Sequence, residues 1–149
     1  MIRQVTAGII DKPRDYDQAV SIVREVLLSY KSLHKRAGHT FDYKTVDEVL
    51  EELQETCLIL IIEEQYVFIL REYSPLFSND KILEEVLLSR YQAGSCTLKY
   101  VLGIMETIGK QLGCNILHLA TLGQKGKALP RLYARCGFKE AYVTMKKEI

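Results

Sequence analysis

The feature that constrains this chain most is a strand, a tight loop and a helix in direct succession between Lys81 and Leu112. Residues 81–88 (KILEEVLL) are mostly apolar, as in a largely buried strand. Residues 90–96 (RYQAGSC) then turn the chain over with small side chains at the tip of the loop. The next apolar positions recur at steps of three and four, which predicts a helix with one buried face: Leu98, Val101, Leu102, Met105, Ile108 and Leu112.

Such a unit can bind an anion where its helix begins. The N–H groups of the first helical turn have no partner within the helix and carry partial positive charge, so they can hold a phosphate or pyrophosphate group. A purely structural role stays open beside this one and is the more frequent, because strand-loop-helix units occur throughout α/β domains and most bind nothing.

The composition predicts one globular domain covering residues 1–149. A chain of this length with 48% hydrophobic and 26% charged residues can bury a substantial core. Its net charge is only +1, so it lacks the basic field that nucleic-acid-binding proteins use. We therefore expect no nucleic-acid partner.

The cysteines and the hydropathy pattern bear on metals and on location. The four cysteines show no C-x-x-C spacing and the three histidines are scattered, which argues against a metal site and for free thiols in a reducing compartment. No apolar run approaches the roughly 20 residues of a membrane span, and the first residues lack a signal peptide's apolar core. The expectation is a cytoplasmic protein without a membrane partner.

The first third of the chain predicts one strand and two helices. Val5–Ile10 resembles a strand, and Asp15 with Gln18 resembles an N-terminal helix cap. Lys31–Thr40 is basic and predicts a solvated loop, with the lining of a substrate entrance as the alternative, while Thr45 with Glu48 forms a second capping pattern. The first helix has an apolar stripe of Ala19, Ile22, Val23, Val26, Leu27, Tyr30 and Leu33, and the second has Val46, Val49, Leu50 and Leu53.

The middle of the chain predicts a sheet. The apolar runs Cys57–Ile62 and Tyr66–Tyr73 are separated by three residues, which indicates an antiparallel hairpin. After the loop 74–80 come the strand and helix described above, and then another apolar strand, Asn115–Leu122. Two strands joined through a helix are expected to pair in parallel.

The C-terminal segment carries a resemblance to a known family. Pro130 suits a first helical turn, Gly137 suits a left-handed helix end, and Phe138–Lys147 predicts a last strand. Residues 132–138 (LYARCGF) resemble the L-Y-x-x-x-G-F signature of the GNAT superfamily of N-acetyltransferases, and residues 74–77 look faintly like small phage-encoded members. The resemblance implies an α/β (α+β) fold: a central, mixed, twisted sheet of about six strands, flanked by about four helices, with parallel fourth and fifth strands that splay apart.

The glycine loop is similar to an altered form of that family's R/Q-x-x-G-x-G/A loop, which binds acetyl-CoA. In one register Gly94 takes the first glycine position, with Tyr91 and Cys96 at the flanking ones; a shift of one residue places Arg90 in the basic position instead. The resemblance implies that acetyl-CoA is the cosubstrate and that no metal is needed. Its pantetheine arm would follow the backbone of residues 86–89, and the implied binding residues are Val86, Leu87, Leu88, Arg90, Gln92, Ala93, Gly94, Ser95 and Cys96.

Acetyl transfer to an amine needs a base for the amine and an acid for the departing thiolate. By resemblance, Tyr133 is the acid; alternatively, its ring only packs the last helix on the sheet. Glu84 and Glu85 are both candidates for the base, and adjacent strand residues face opposite sides, so only one can face the cleft. Burial and nearby Glu63 or Glu64 would raise its pKa. A solvated carboxylate is the alternative for each, and His118 is a weaker candidate base.

The function that this resemblance implies is acetyl-CoA-dependent acetylation of a primary amine. The acceptor is a small molecule or a peptide, and a homodimer is a further expectation. The alternative is a GNAT-like binding or regulatory module that has lost catalysis. The altered glycine loop is the reason for considering it.

Overall fold

The computed structural model describes residues 2–4, 13–36, 44–120, 128–141 and 147. The strands are β1 (Ile2–Gln4), β2 (Leu58–Ile62), β3 (Tyr66–Tyr73), β4 (Ile82–Arg90) and β5 (Ile116–His118). The helices are α1 (Pro13–Arg36), α2 (Val46–Thr56), α3 (Leu98–Gln111) and α4 (Ala128–Arg135). Over these ranges no helix is long and apolar enough to cross a membrane.

The described strands form one mixed sheet in the order β1-β2-β3-β4-β5. The first four strands are antiparallel neighbours, and β4 pairs with β5 in parallel across the α3 crossover, as predicted. The expected number of about six strands is not confirmed. Residues 138–141 form no strand, and residues 142–146 of the predicted last strand lie outside the described residues.

The hairpin between β2 and β3 closes without the glycine that such turns usually contain. Glu63 and Glu64 both adopt positive φ angles, 51° and 55°, and the Gln65 N–H donates to the Ile62 carbonyl at 3.0 Å. Two successive left-handed residues match the twist of antiparallel strands, which is why type I′ turns join them. The hairpin was therefore predicted correctly from its apolar runs, although its turn chemistry is unusual.

Several predicted helix boundaries are wrong. Helix α1 begins at Pro13, so Asp15 lies inside the helix and is not its cap. The same helix continues to Arg36, which makes Lys31–Arg36 helical where a loop was expected; charged residues there favour a helix as readily as a loop. The predicted strand Val5–Ile10 lies outside the described residues. In α2 the capping box is confirmed, because Thr45 and Glu48 bond each other's backbone N–H groups.

Two hydrophobic cores lie on opposite faces of the sheet, because successive strand residues point to opposite sides. The core under α1 and α2 contains Ala19, Val23, Val26, Leu27, Leu50, Cys57, Ile59, Ile61, Val67, Ile69 and Leu87. The core under α3 contains Leu60, Ile62, Tyr66, Phe68, Leu70, Leu83, Val101 and Met105. The predicted apolar stripe of α3 is buried at Val101, Leu102 and Met105 and partly buried at Leu98 and Ile108, whereas Leu112, which caps the helix, is 38% exposed.

Candidate active site

The site lies where strands β4 and β5 part. The parallel ladder joins them only from Ile82 to Glu84, which face Ile116 to His118. Beyond it, residues 85 and 87–90 of β4 remain paired with β3, with a register shift that leaves Val86 without a β3 partner, and no described strand pairs with the other side of this stretch. Unpaired strand backbone offers N–H and C=O groups to any amide-bearing ligand that can lie beside it. Val86, Leu87 and Leu88, the residues predicted to hold the pantetheine arm, lie on this stretch.

Glu85 is the first residue beyond the ladder and has an altered proton affinity. Its carboxylate accepts a hydrogen bond from the Ala120 N–H at 3.1 Å, just after β5 ends. Burial raises the pKa of Glu85 to about 7, although the Ala120 hydrogen bond opposes the shift. Neither Glu63 nor Glu64 contributes, so that expectation is wrong: both lie in the hairpin turn next to Tyr66, which pairs with the far end of β4. A carboxyl group that titrates near neutrality can both accept and release a proton.

Two tyrosines from different helices lie within the electrostatic reach of Glu85. Tyr133 of α4 is buried, and burial together with the Glu85 charge raises the pKa of its phenol above the ordinary value. The pKa of the Tyr30 phenol in α1 is also raised, first by burial and then by the Glu85 charge. Both phenols therefore keep their protons at neutral pH and can act as donors. No described residue accepts a hydrogen bond from the Tyr133 hydroxyl.

Glu84 and His118 have other partners. The Glu84 carboxylate accepts from Arg71 Nε at 3.1 Å on the neighbouring strand. His118 is half-buried and its Nδ1 lies 3.2 Å from the Tyr73 hydroxyl. Of the three candidate bases, only Glu85 accepts a hydrogen bond from the segment that follows β5, and its charge alone raises the pKa of the Tyr133 phenol.

The glycine loop between β4 and α3 is shaped by Arg90. The guanidinium group donates to the carbonyl oxygens of Gly94 at 2.5 Å and Gln92 at 3.4 Å. It also lies 5.6 Å from the centre of the Tyr66 ring. Arg90 was predicted to bind the cofactor. In this structure its N–H groups hydrogen-bond carbonyl groups of the loop and so hold the loop in shape. A guanidinium has five N–H donors, so these contacts leave some for an anion.

Gln65, from the β2–β3 turn, packs on the same loop. Its main-chain carbonyl accepts from the N–H groups of Tyr91 at 2.9 Å and Gln92 at 3.4 Å, and its side-chain Oε1 accepts from Cys96 N–H at 2.9 Å. A Cβ atom on Gly94 would lie 2.2 Å from Cδ of Gln65, so a larger residue there would require the Gln65 side chain to move.

The remaining groups of the loop fit a diphosphate. No described residue accepts a hydrogen bond from the N–H groups of Ala93, Gly94 or Ser95. The α3 helix begins two residues after Cys96, with Thr97 as its cap, so its positive end lies beside these amides. Free amides, small side chains and a helix N-terminus form the kind of cradle that a pyrophosphate requires.

Among the described residues, neither the Cys96 thiol nor a metal cluster offers competing chemistry. Burial raises the pKa of the Cys96 thiol, the opposite of the shift that activates a nucleophilic cysteine. In the described ranges no group of three histidine, cysteine, aspartate or glutamate side chains could hold a metal ion.

Sequence reasoning missed three participants in this site. Tyr30 belongs to the apolar stripe of α1, and nothing in its spacing separates it from a core residue. Gln65 lies in a turn, 31 residues before Cys96, and the contact depends on how β3 pairs with β4. The Ala120 N–H is a backbone group, which no sequence motif marks.

Solved structures with the same fold include named acetyltransferases. A "probable acetyltransferase" has a TM-score of 0.68 at 11% identity, over 100% of this chain and 97% of that one. An aminoglycoside acetyltransferase from an uncultured soil metagenomic sample has a TM-score of 0.63 at 10% identity, with the same coverage. A transcriptional regulator from Bacillus halodurans has a TM-score of 0.64 at 18% identity, over 100% of this chain and 99% of that one.

At these identities the likeness establishes the fold. It confirms the GNAT-like fold expected from the LYARCGF segment. The sequence matches no protein-family profile and no curated protein.

Proposed function

We propose that this chain is an acetyl-CoA-dependent N-acetyltransferase that acts on a primary amine, with Glu85 as general base and Tyr133 as general acid. The observation that carries the proposal is the position of Glu85. Its carboxyl titrates near neutrality at the point where β4 and β5 part, and its charge reaches the Tyr133 phenol. A base and an acid with separated pKa values in one cleft are what acyl transfer to an amine requires.

The binding surface for acetyl-CoA would be divided between two stretches. The backbone of residues 86–89, on the side where no described strand pairs with it, would hydrogen-bond the amides of the pantetheine arm, and the cradle at residues 92–96 would hold the pyrophosphate. The cosubstrate supplies an activated acetyl group as a thioester. Because backbone groups make most of these contacts, departures of side chains from the usual loop pattern, such as Cys96, are compatible with binding.

The proton steps fall to side chains of the chain itself. An amine enters water as an ammonium ion and must lose a proton before it attacks a carbonyl carbon. Glu85, ionised above about pH 7, would accept that proton directly or through one water. Tyr133, whose raised pKa keeps its phenol protonated, would give a proton to the departing sulfur. We further propose that the acceptor is a small molecule or a peptide; a cytoplasmic location and a homodimer remain predictions.

Substitution of Glu85 tests this assignment. Glu85→Gln keeps the shape and the Ala120 contact but cannot take a proton, so kcat should fall by about 100-fold or more while the dissociation constant for acetyl-CoA changes little. A panel of polyamines, peptides and aminoglycosides, followed by thiol release, would supply the acceptor. The matched control is Glu84→Gln, which removes the Arg71 ion pair and should leave turnover close to wild type.

The pH dependence gives a second readout of the same proposal. The kcat/KM of the wild type should rise with pH to a plateau above about 7, because the free enzyme must carry ionised Glu85. Equal turnover by wild type and Glu85→Gln on a good acceptor would remove Glu85 from the mechanism.

A non-catalytic binding or regulatory module is the second candidate. The contacts of Gln65 and Arg90 on the glycine loop favour it, because they use groups that a cofactor would otherwise bind. A protein with this fold that is named a transcriptional regulator also supports it. Binding of coenzyme A without turnover on any acceptor in the panel would select this reading.

A further inference from the structure

The side chain of Gln65 lies over the loop that the proposed function assigns to the pyrophosphate. Its Oε1 accepts from Cys96 N–H at 2.9 Å, and its Cδ, Oε1 and Nε2 atoms all lie within 2.4 Å of the place where a Cβ on Gly94 would stand. The carboxamide thus covers the middle of residues 92–96 and uses one of the amides in the cradle.

A backbone N–H makes one good hydrogen bond at a time, so the carboxamide and a phosphate oxygen compete for the Cys96 amide. The phosphate oxygen is the stronger acceptor, because it is charged. The carboxamide is held close by its own chain, and its removal costs one hydrogen bond. Its neutral oxygen mimics the acceptor that the cradle would otherwise bind.

The side chain and main chain of Gln65 have separate tasks. The Gln65 main-chain carbonyl accepts from Tyr91 and Gln92, and these contacts do not depend on which side chain is present. Arg90 independently fixes the Gly94 and Gln92 carbonyls. The loop therefore keeps most of its bonds when the side chain at position 65 is changed.

We propose that the Gln65 side chain is a built-in competitor of the coenzyme A pyrophosphate, occupying the Cys96 amide and the space above Gly94 until the diphosphate displaces it. The inference rests on the proposed function, since it takes the glycine loop as the diphosphate site. Gln65 then sets the affinity for the cosubstrate without contributing to the chemistry.

Calorimetric titration of the Gln65→Ala variant tests this directly. The variant should bind coenzyme A between about two- and tenfold more tightly than wild type, the range that one net hydrogen bond corresponds to. Pantetheine, which lacks the pyrophosphate, should bind both proteins equally. Hydrogen exchange of the Cys96 amide in the free protein should become faster in the variant, a readout that needs no ligand.

Gln65→Glu is the matched second variant. Its carboxylate can still accept from Cys96 N–H, so the loop stays folded, but its negative charge lies in the anion site and should weaken coenzyme A binding by about tenfold or more. A purely structural role predicts the reverse order, with Gln65→Ala weakened and Gln65→Glu close to wild type.

The outcomes separate the inference from the proposed function. If wild type binds coenzyme A and Gln65→Ala binds it no more tightly while the Cys96 amide exchanges faster, Gln65 is a scaffold and the inference is overturned. If neither protein binds coenzyme A at saturating concentration, the proposed function fails and the inference fails with it.

Discussion

Glu85 differs from the other carboxylates of the described residues because it lies where two strands separate. Its carboxyl is largely withdrawn from water, and among the described residues one N–H group, that of Ala120, donates to it. Burial favours the neutral form, and the pKa rises from 4.5 to about 7. Such a shift has a cost in stability, because the folded protein must either hold a proton or bury a charge.

The stability of the fold should therefore depend on pH through Glu85. Between pH 4.5 and about 7 the folded state holds a proton that the unfolded state releases, so the contribution of Glu85 to stability falls as pH rises through this window. Glu85→Gln removes the titration. Its free energy of unfolding, relative to wild type, should increase between about pH 5 and about pH 8 by up to about 3 kcal/mol. Denaturant unfolding of Glu85→Gln and of wild type at the two pH values measures this difference in free energy.

Glu84→Gln is the control for this prediction. It removes the ion pair with Arg71 instead and should show no gain at the higher pH, since exposed ion pairs contribute about 1 kcal/mol or less. A constant difference between Glu85→Gln and wild type across the pH range would mean that Glu85 is ordinarily solvated.

The role of Tyr133 can be tested by removing a single oxygen atom, that of its hydroxyl group. Tyr133→Phe keeps the ring that packs 6.0 Å from Phe138 but removes the hydroxyl. Turnover should fall by about 100-fold or more, with little change in cosubstrate affinity. Steady-state kinetics on the acceptor found by the panel would measure both quantities.

Tyr16→Phe is the matched control. The Tyr16 hydroxyl accepts from Gln54 at 2.8 Å between α1 and α2, and its loss should cost about 1 kcal/mol of stability without affecting turnover. If Tyr133→Phe behaves like Tyr16→Phe, Tyr133 is a packing residue and another group protonates the thiolate.

At the scale of elements, the helices derive their stability from the two cores. Val23 of α1 and Leu102 of α3 are both buried, and their helices cover opposite faces of the sheet. Aspartate at either position would bury an unpaired charge, at a cost of several kcal/mol against a total stability of about 5–15 kcal/mol. Circular dichroism at about 25 °C should show that both variants are unfolded.

An exposed position on α3, the helix that carries Leu102, provides the control. Lys99 of α3 is exposed, and Lys99→Ala should change stability by no more than about 0.5 kcal/mol. A folded Val23→Asp protein would mean that the apolar stripe of α1 is not packed as described.

Local signals determined how far each element could be predicted. The α2 capping box, the apolar stripes and the β2–β3 hairpin were predictable because residues close in sequence decide them. The start of α1 was misplaced because Pro13 and Asp15 are both good residues for a first helical turn. Gln65 over Gly94 was not predictable, because the contact exists only once Tyr66 pairs with Arg90 across the sheet.

At the scale of the whole molecule, the cleft is a consequence of topology. The α3 crossover returns the chain to pair β5 with only the first three residues of β4, and the ladder then stops. The parallel pairing was predicted from the strand-helix-strand order, whereas the parting of the strands came only from the family resemblance. Glu85 could not be distinguished from Glu84 by sequence. Successive strand residues point to opposite faces of the sheet, so the two side chains must diverge, but the pattern does not show which of them faces the gap.

Titration of the purified protein with acetyl-CoA tests the central claim most directly, because every role proposed for Glu85, Tyr133 and residues 86–96 requires the cosubstrate to bind in the cleft. We predict one binding site per chain by calorimetry, and a melting temperature that rises with ligand concentration, as mass action requires of a ligand that binds only the folded state. Absence of heat and of any thermal shift at saturating acetyl-CoA would contradict the account.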